Sequence, residues 1–135
     1  MPHTEEQRQH MHDVADAFEA ESERFNMNHF EKHAPDCGTI MCIAGWSRHI
    51  RGKDVLSIPD YGYDWEEPRM DEDDVRYAMG LTRDEFSRLC LGDGMDVALK
   101  LPEHLRAKGM ADAVRQIANG ATVTDALNDV AERYV

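Results

Sequence analysis

Positively charged side chains are scarce in this sequence: 15 Lys and Arg residues stand against 27 Asp and Glu, giving a formal net charge of −12 at pH 7. Direct binding of DNA or RNA needs a cluster of Lys and Arg that neutralises phosphates, so the composition argues against a nucleic-acid partner. Charge of this sign also repels anionic membrane surfaces and attracts basic protein surfaces. The expected partner is therefore a protein with a basic surface, with no direct contact to nucleic acid or membrane.

Long apolar runs are missing, and there are only three cysteines. No run approaches the roughly 20 apolar residues of a membrane span. The first residues have neither the basic start nor the apolar stretch of a signal peptide. An odd number of cysteines does not make a disulfide framework, and free thiols are typical of a reducing compartment. Gly38 to Gly45 has the span of a phosphate-binding loop but lacks its Lys-Ser/Thr end, so no cofactor is predicted. These features predict a cytoplasmic protein.

Strand-like alternation is also lacking, whereas apolar residues recur at helical spacing, as in Met11, Val14, Ala15 and Phe18. A chain of 135 residues fits one domain. The predicted fold class is all-α: a single compact domain over residues 1–135 with about five to seven short helices. An acidic, aromatic loop is expected at about residues 53–70.

Capping residues, glycines and prolines set the predicted helix boundaries. The first three predicted helices are Glu5 to about Phe25, Ile40 to about Arg51 with Thr39 as N-cap, and a short helix that Asp71 caps and that runs through Met79 to an end at Gly80. A fourth helix begins at the capping box of Thr82 and Glu85 and is broken by Gly92 and Gly94. Two pieces, Glu103–Lys108 and Met110–Ala118, are separated by Gly109, and a last helix is capped by Thr122 or Thr124. Residues 26–38 are predicted as loop. Phe86, Leu89 and Cys90 are expected to face the core.

The segment Cys37 to Trp46 is the longest stretch with few charges. With Thr39 as N-cap, Cys42 falls at the third helical position, where the helix dipole and free N–H groups favour a thiolate. Cys42 is therefore a candidate nucleophile. The alternative is that Cys42 packs in the core as a small hydrophobe beside Trp46, and the helical periodicity favours this alternative.

Five residues of this region have side chains that bind zinc: His29, His33, Cys37, Cys42 and His49. Their spacing matches no compact zinc module with two tight knuckles. Surface histidines beside two packing cysteines are the favoured interpretation, and a metal site is the alternative.

The densest negative charge lies between Val55 and Val75, where eight carboxylates are opposed only by Arg69. Stabilisation of the first helical turn, or a plain solvated face, explains the carboxylates at 71–74. Neither accounts for the aromatic residues mixed with the carboxylates at 60–67, which suit a surface that anchors into a basic partner. For this segment a partner-binding surface and a solvated loop are equal alternatives. The residues predicted to bind a partner are Asp60, Tyr61, Tyr63, Asp64, Trp65, Glu66, Glu67, Asp71, Asp73 and Asp74.

The segment Cys37-Gly38-Thr39-x-x-Cys42-Ile43-Ala44-Gly45-Trp46 resembles a core motif of small uncharacterised proteins of bacteria and their phages. Those proteins are similar to this chain in two further places: a helix ending in Gly80-Leu81 and followed by Thr82-x-x-Glu85 and Leu89, and a C-terminal helical pair. The long acidic connector departs from their pattern. That family has no assigned activity and contributes no catalytic residues. The resemblance implies a phage or mobile-element accessory protein.

Two classes of function follow. The first is a non-enzymatic acidic accessory protein that binds a basic host protein to inhibit or modulate it, including by mimicry of DNA. The second is a metal-binding protein or a small cysteine-dependent enzyme built on Cys37, Cys42 and the nearby histidines.

Overall fold

The computed structural model describes residues 3–25, 32–34, 38–40, 42–50 and 72–134. These residues form an all-α fold, as predicted, and their buried apolar side chains make one cluster. The α-helices of the described part are α1 (Glu5–Ala20), α2 (Ile43–Ile50), α3 (Glu72–Met79), α4 (Arg83–Phe86), α5 (Asp93–Lys100), α6 (Arg106–Ala118) and α7 (Val123–Arg133). None of these helices is long and apolar enough to cross a membrane.

Helix α1 begins at the predicted capping box. The Gln7 N–H donates to Thr4 Oγ1 at 3.1 Å, and the Thr4 N–H donates to Gln7 Oε1 at 2.9 Å. The predicted end at Phe25 is wrong, because the α-helix stops at Ala20 and a 3₁₀ turn covers Ser22–Arg24. Phe25 nevertheless packs on the helix: its ring stacks on Phe18 with the ring centroids 4.4 Å apart.

A short antiparallel hairpin precedes α2, where the sequence predicted loop and the start of a helix. Strand β1 (Lys32–Ala34) pairs with β2 (Gly38–Ile40), and Thr39 lies opposite His33. Thr39 is therefore in a strand, as suits a β-branched residue, and is not an N-cap. Instead Cys42 is the N-cap, since its carbonyl accepts the first helical hydrogen bond, from Trp46 N at 2.9 Å.

Two helix boundaries in the middle of the chain agree with the sequence. Helix α3 ends at Gly80, whose φ of 71° closes the helix through a hydrogen bond from Leu81 N to Arg76 O of 3.0 Å. Helix α4 then begins at the capping box of Thr82 and Glu85. It continues into a π-helical segment, Ser87–Leu91, that turns Leu89 and Cys90 into the core. The predicted inward-facing residues Phe86, Leu89 and Cys90 are all buried.

The fourth helix is broken at Gly92, as predicted, but the other two glycines predicted as breaks lie inside helices: Gly94 in α5 and Gly109 in α6. Gly94 is in the first turn of α5, and a Cβ there would lie 1.8 Å from the Leu89 carbonyl oxygen. Gly109 is within the continuous α6, where a Cβ would lie 2.6 Å from Leu101 Cδ1. The missing side chain at each position allows a close approach of neighbouring segments, which is a tertiary requirement and not a helix stop.

The most extensive contact between two helices of the described part is between α1 and α6, and α6 also packs against α7. Helix α6 carries many small buried side chains, Ala107, Ala111, Ala113 and Ala118 among them. Thr122, and not Thr124, is the N-cap of α7, accepting a hydrogen bond from Asp125 N at 3.1 Å. This packing leaves one face of α1 directed away from the core.

Candidate protein-binding surface

Most of the residues predicted to bind a partner lie outside the described residues. These are Asp60, Tyr61, Tyr63, Asp64, Trp65, Glu66, Glu67 and Asp71. Asp73 and Asp74 belong to the first turn of α3, where the backbone alone is described. The predicted acidic, aromatic loop at 53–70 therefore stays a prediction.

The cysteine and histidine candidates are dispersed between described and undescribed parts of the chain. His29 and Cys37 lie outside the described residues, His33 is in β1, and His49 is in α2. Cys42 is 3% exposed and sits before the first turn of α2, not at the third helical position that the nucleophile hypothesis assumed. Within the described residues, no group of three or more His, Cys, Asp or Glu is arranged to hold a metal ion.

Cys42 has a second thiol in its surroundings. Cys90, in the π-helical segment, is likewise a free cysteine and is 2% exposed. Burial, with a smaller contribution from Cys42, raises the pKa of the Cys90 thiol well above its usual value. Cys90 is thus a neutral thiol that packs in the core, which is the usual role of a buried cysteine.

A negatively charged surface is described in full on α1. Over Glu5–Ala20 there are five carboxylates, and Arg8 is the only Lys or Arg residue. The buried residues Met11, Val14, Ala15 and Phe18 define the inner face. At about 100° per residue, the exposed polar residues fall on the opposite side of the helix. This outward surface, the α1 acidic face, consists of Glu5, Glu6, Gln9, Asp13 and Asp16.

Three carboxylates of the α1 acidic face, those of Glu5, Asp13 and Asp16, contact a polar or charged side chain. The extent to which their negative charge is neutralised differs between them. Asp16 is the best compensated, since Arg115 Nη2 lies 2.8 Å from its Oδ1 and also contacts Glu19 at 2.6 Å. Hydrogen bonding to Glu19, partly opposed by burial, raises the pKa of Arg115. Through its ion pairs with Asp16 and Glu19, the Arg115 guanidinium connects α6 to α1.

Closer to the start of α1, the described residues compensate the carboxylates only weakly. Glu5 is 3.8 Å from Arg8, but both side chains are largely exposed, and such pairs contribute little. Asp13 accepts a hydrogen bond from the neutral Gln9 amide at 2.9 Å, which leaves its charge in place. Negative charge therefore concentrates at the first two to three turns of the helix.

A shallow cleft of about 360 Å³, widely open to solvent, lies beside these turns and is lined by Glu5, Glu6, Gln9, His10 and Asp13. His10 lines this cleft and also contacts the interior, because its Nε2 forms a 2.7 Å hydrogen bond with Ser47 Oγ of α2. Ser47 is fully buried, and among the described residues it is the one polar residue in the core. The hydrogen bond links α1 to α2 across their interface.

The sequence contained the signal for this surface, namely carboxylates placed opposite the apolar stripe of α1. It was missed because the acidic segment before Val75 has a higher charge density. No protein-family model matches this chain, and neither a curated protein nor a solved structure shows significant similarity to it.

Proposed function

We propose that this protein is a non-enzymatic accessory protein that acts by binding another protein through a negatively charged surface. The α1 acidic face carries the proposal, because it combines exposed carboxylates, weak local neutralisation and a cleft. The net charge of −12 adds long-range attraction for a basic partner. Charge complementarity of this kind accelerates encounter and selects the partner more than it adds raw affinity.

The predicted acidic residues from Asp60 to Glu67 would extend the same surface or form a second one. Their aromatic neighbours would supply anchors that fill pockets of the partner, which carboxylates alone do not provide. Resemblance of the Cys37–Trp46 segment to phage-associated proteins supports a role as a phage factor that modulates a basic host protein. The free thiols Cys42 and Cys90 support action in a reducing compartment such as the cytoplasm.

DNA mimicry is a narrower form of this proposal and is not favoured by the α1 acidic face. Glu6 and Asp13 are seven positions apart, which corresponds to about 10 Å along a helix. Each DNA strand presents a charge about every 3.4 Å along the axis. A row of carboxylates with phosphate spacing would therefore need residues outside α1. Displacement of the bound partner by duplex DNA would test this form.

The test compares capture of proteins from a bacterial lysate by the immobilised chain and by charge-reversed variants. The first variant carries Glu5→Lys, Glu6→Lys and Asp13→Lys. We expect it to lose a basic partner that the unchanged protein captures at low salt and releases at about 0.5 M salt, where the Debye length falls to a few ångströms. Circular dichroism confirms that each variant is folded.

A matched control carries Asp93→Lys, Asp96→Lys and Glu132→Lys. These residues are exposed, the first two also occupy a first helical turn, and the change in net charge is the same. It should retain the partner. A third variant, with Asp60, Asp64, Glu66 and Glu67 changed to lysine, locates the contribution of the acidic loop. Capture that is insensitive to salt and equal for all variants would overturn the proposal.

A further inference from the structure

We draw no further inference here: the strongest candidate, the cleft beside α1 lined by Glu5, Glu6, Gln9, His10 and Asp13, belongs to the surface on which the proposed function already rests, and nothing in the described part of the chain identifies a ligand for that carboxylate cluster.

Discussion

Replacing Gly109 by alanine sets two opposing effects against each other within α6. In an exposed helix interior, glycine to alanine stabilises by about 1 kcal/mol, because alanine is the better helix former. At Gly109 the added methyl group would lie 2.6 Å from Leu101 Cδ1 and 3.3 Å from Val130 Cγ1. Ordinary carbon contacts are about 3.5–4.0 Å, so Leu101 would have to move by about 1 Å.

Leu101 has little room for that movement, since it is 2% exposed. Overpacking of a core by a methyl group costs about 1–3 kcal/mol. The energetic cost of the overlap should therefore exceed the stabilisation from higher helix propensity. We expect Gly109→Ala to lower the free energy of unfolding by about 1 kcal/mol. Urea unfolding monitored by circular dichroism measures this change, with an unchanged denaturant slope as evidence that the transition is comparable.

A double-mutant cycle identifies the clash as the cause. Leu101→Val removes the atom nearest to the new methyl group, so Gly109→Ala should be less damaging in that background, by about 1 kcal/mol. Val75→Ala is the control, because Val75 is buried in α3, which packs on α1 and α2. Its effect should add to that of Gly109→Ala without coupling. An increase in stability on Gly109→Ala alone would refute the reasoning, because it would show that the gain in helix propensity exceeds the cost of the overlap with Leu101.

Three further predictions concern the core and its polar edge. Trp46→Ala should lower the free energy of unfolding, measured in urea, by about 3–5 kcal/mol, because Trp46 is only 1% exposed. A loss below about 1 kcal/mol would contradict a place for Trp46 in the packed core. Hydrogen bonds from Gln116 and Arg133 lower the pKa of Asp129. The ionised Asp129 carboxylate therefore stabilises the fold above the ordinary carboxyl pKa of about 3.9, and this stabilisation is lost as pH falls through the lowered pKa of the folded state. The urea midpoint should therefore decrease less between pH 7 and acid for Asp129→Asn than for the unchanged protein, and equal decreases would contradict this. In a Cys37→Ser background, a thiol reagent at neutral pH should modify the two remaining thiols, Cys42 and Cys90, only as fast as the protein opens, because both are buried and burial raises the pKa of the Cys90 thiol. Labelling of either thiol as fast as a free thiol would contradict its burial.

The candidate surface was predictable in part. The sequence indicates an amphipathic α1 with carboxylates opposite the apolar stripe, since both follow from a period of 3.6 residues. It does not indicate which carboxylates are neutralised. Arg115 is 99 positions from Asp16 along the chain, and its ion pairs exist only because α6 packs on α1. The hydrogen bond of His10 to Ser47 is likewise produced by helix packing.

Local chemistry in the sequence by itself determined the all-α class, the capping boxes at Thr4 and Thr82, and the end of α3 at Gly80. The caps and the helix end depend on interactions within about one helical turn, so neighbouring residues are sufficient to specify them, and the all-α class follows from the helical spacing of apolar residues along the chain. Only the tertiary structure decided that Gly94 and Gly109 lie within helices and that Cys42 is a buried N-cap. The burial of Cys42 and the contacts of Gly109 with Leu101 and Val130 arise between segments that meet only in the folded chain, where close packing outweighs local propensity. Gly94 lies against the Leu89 carbonyl oxygen, where the π-helical segment runs into α5.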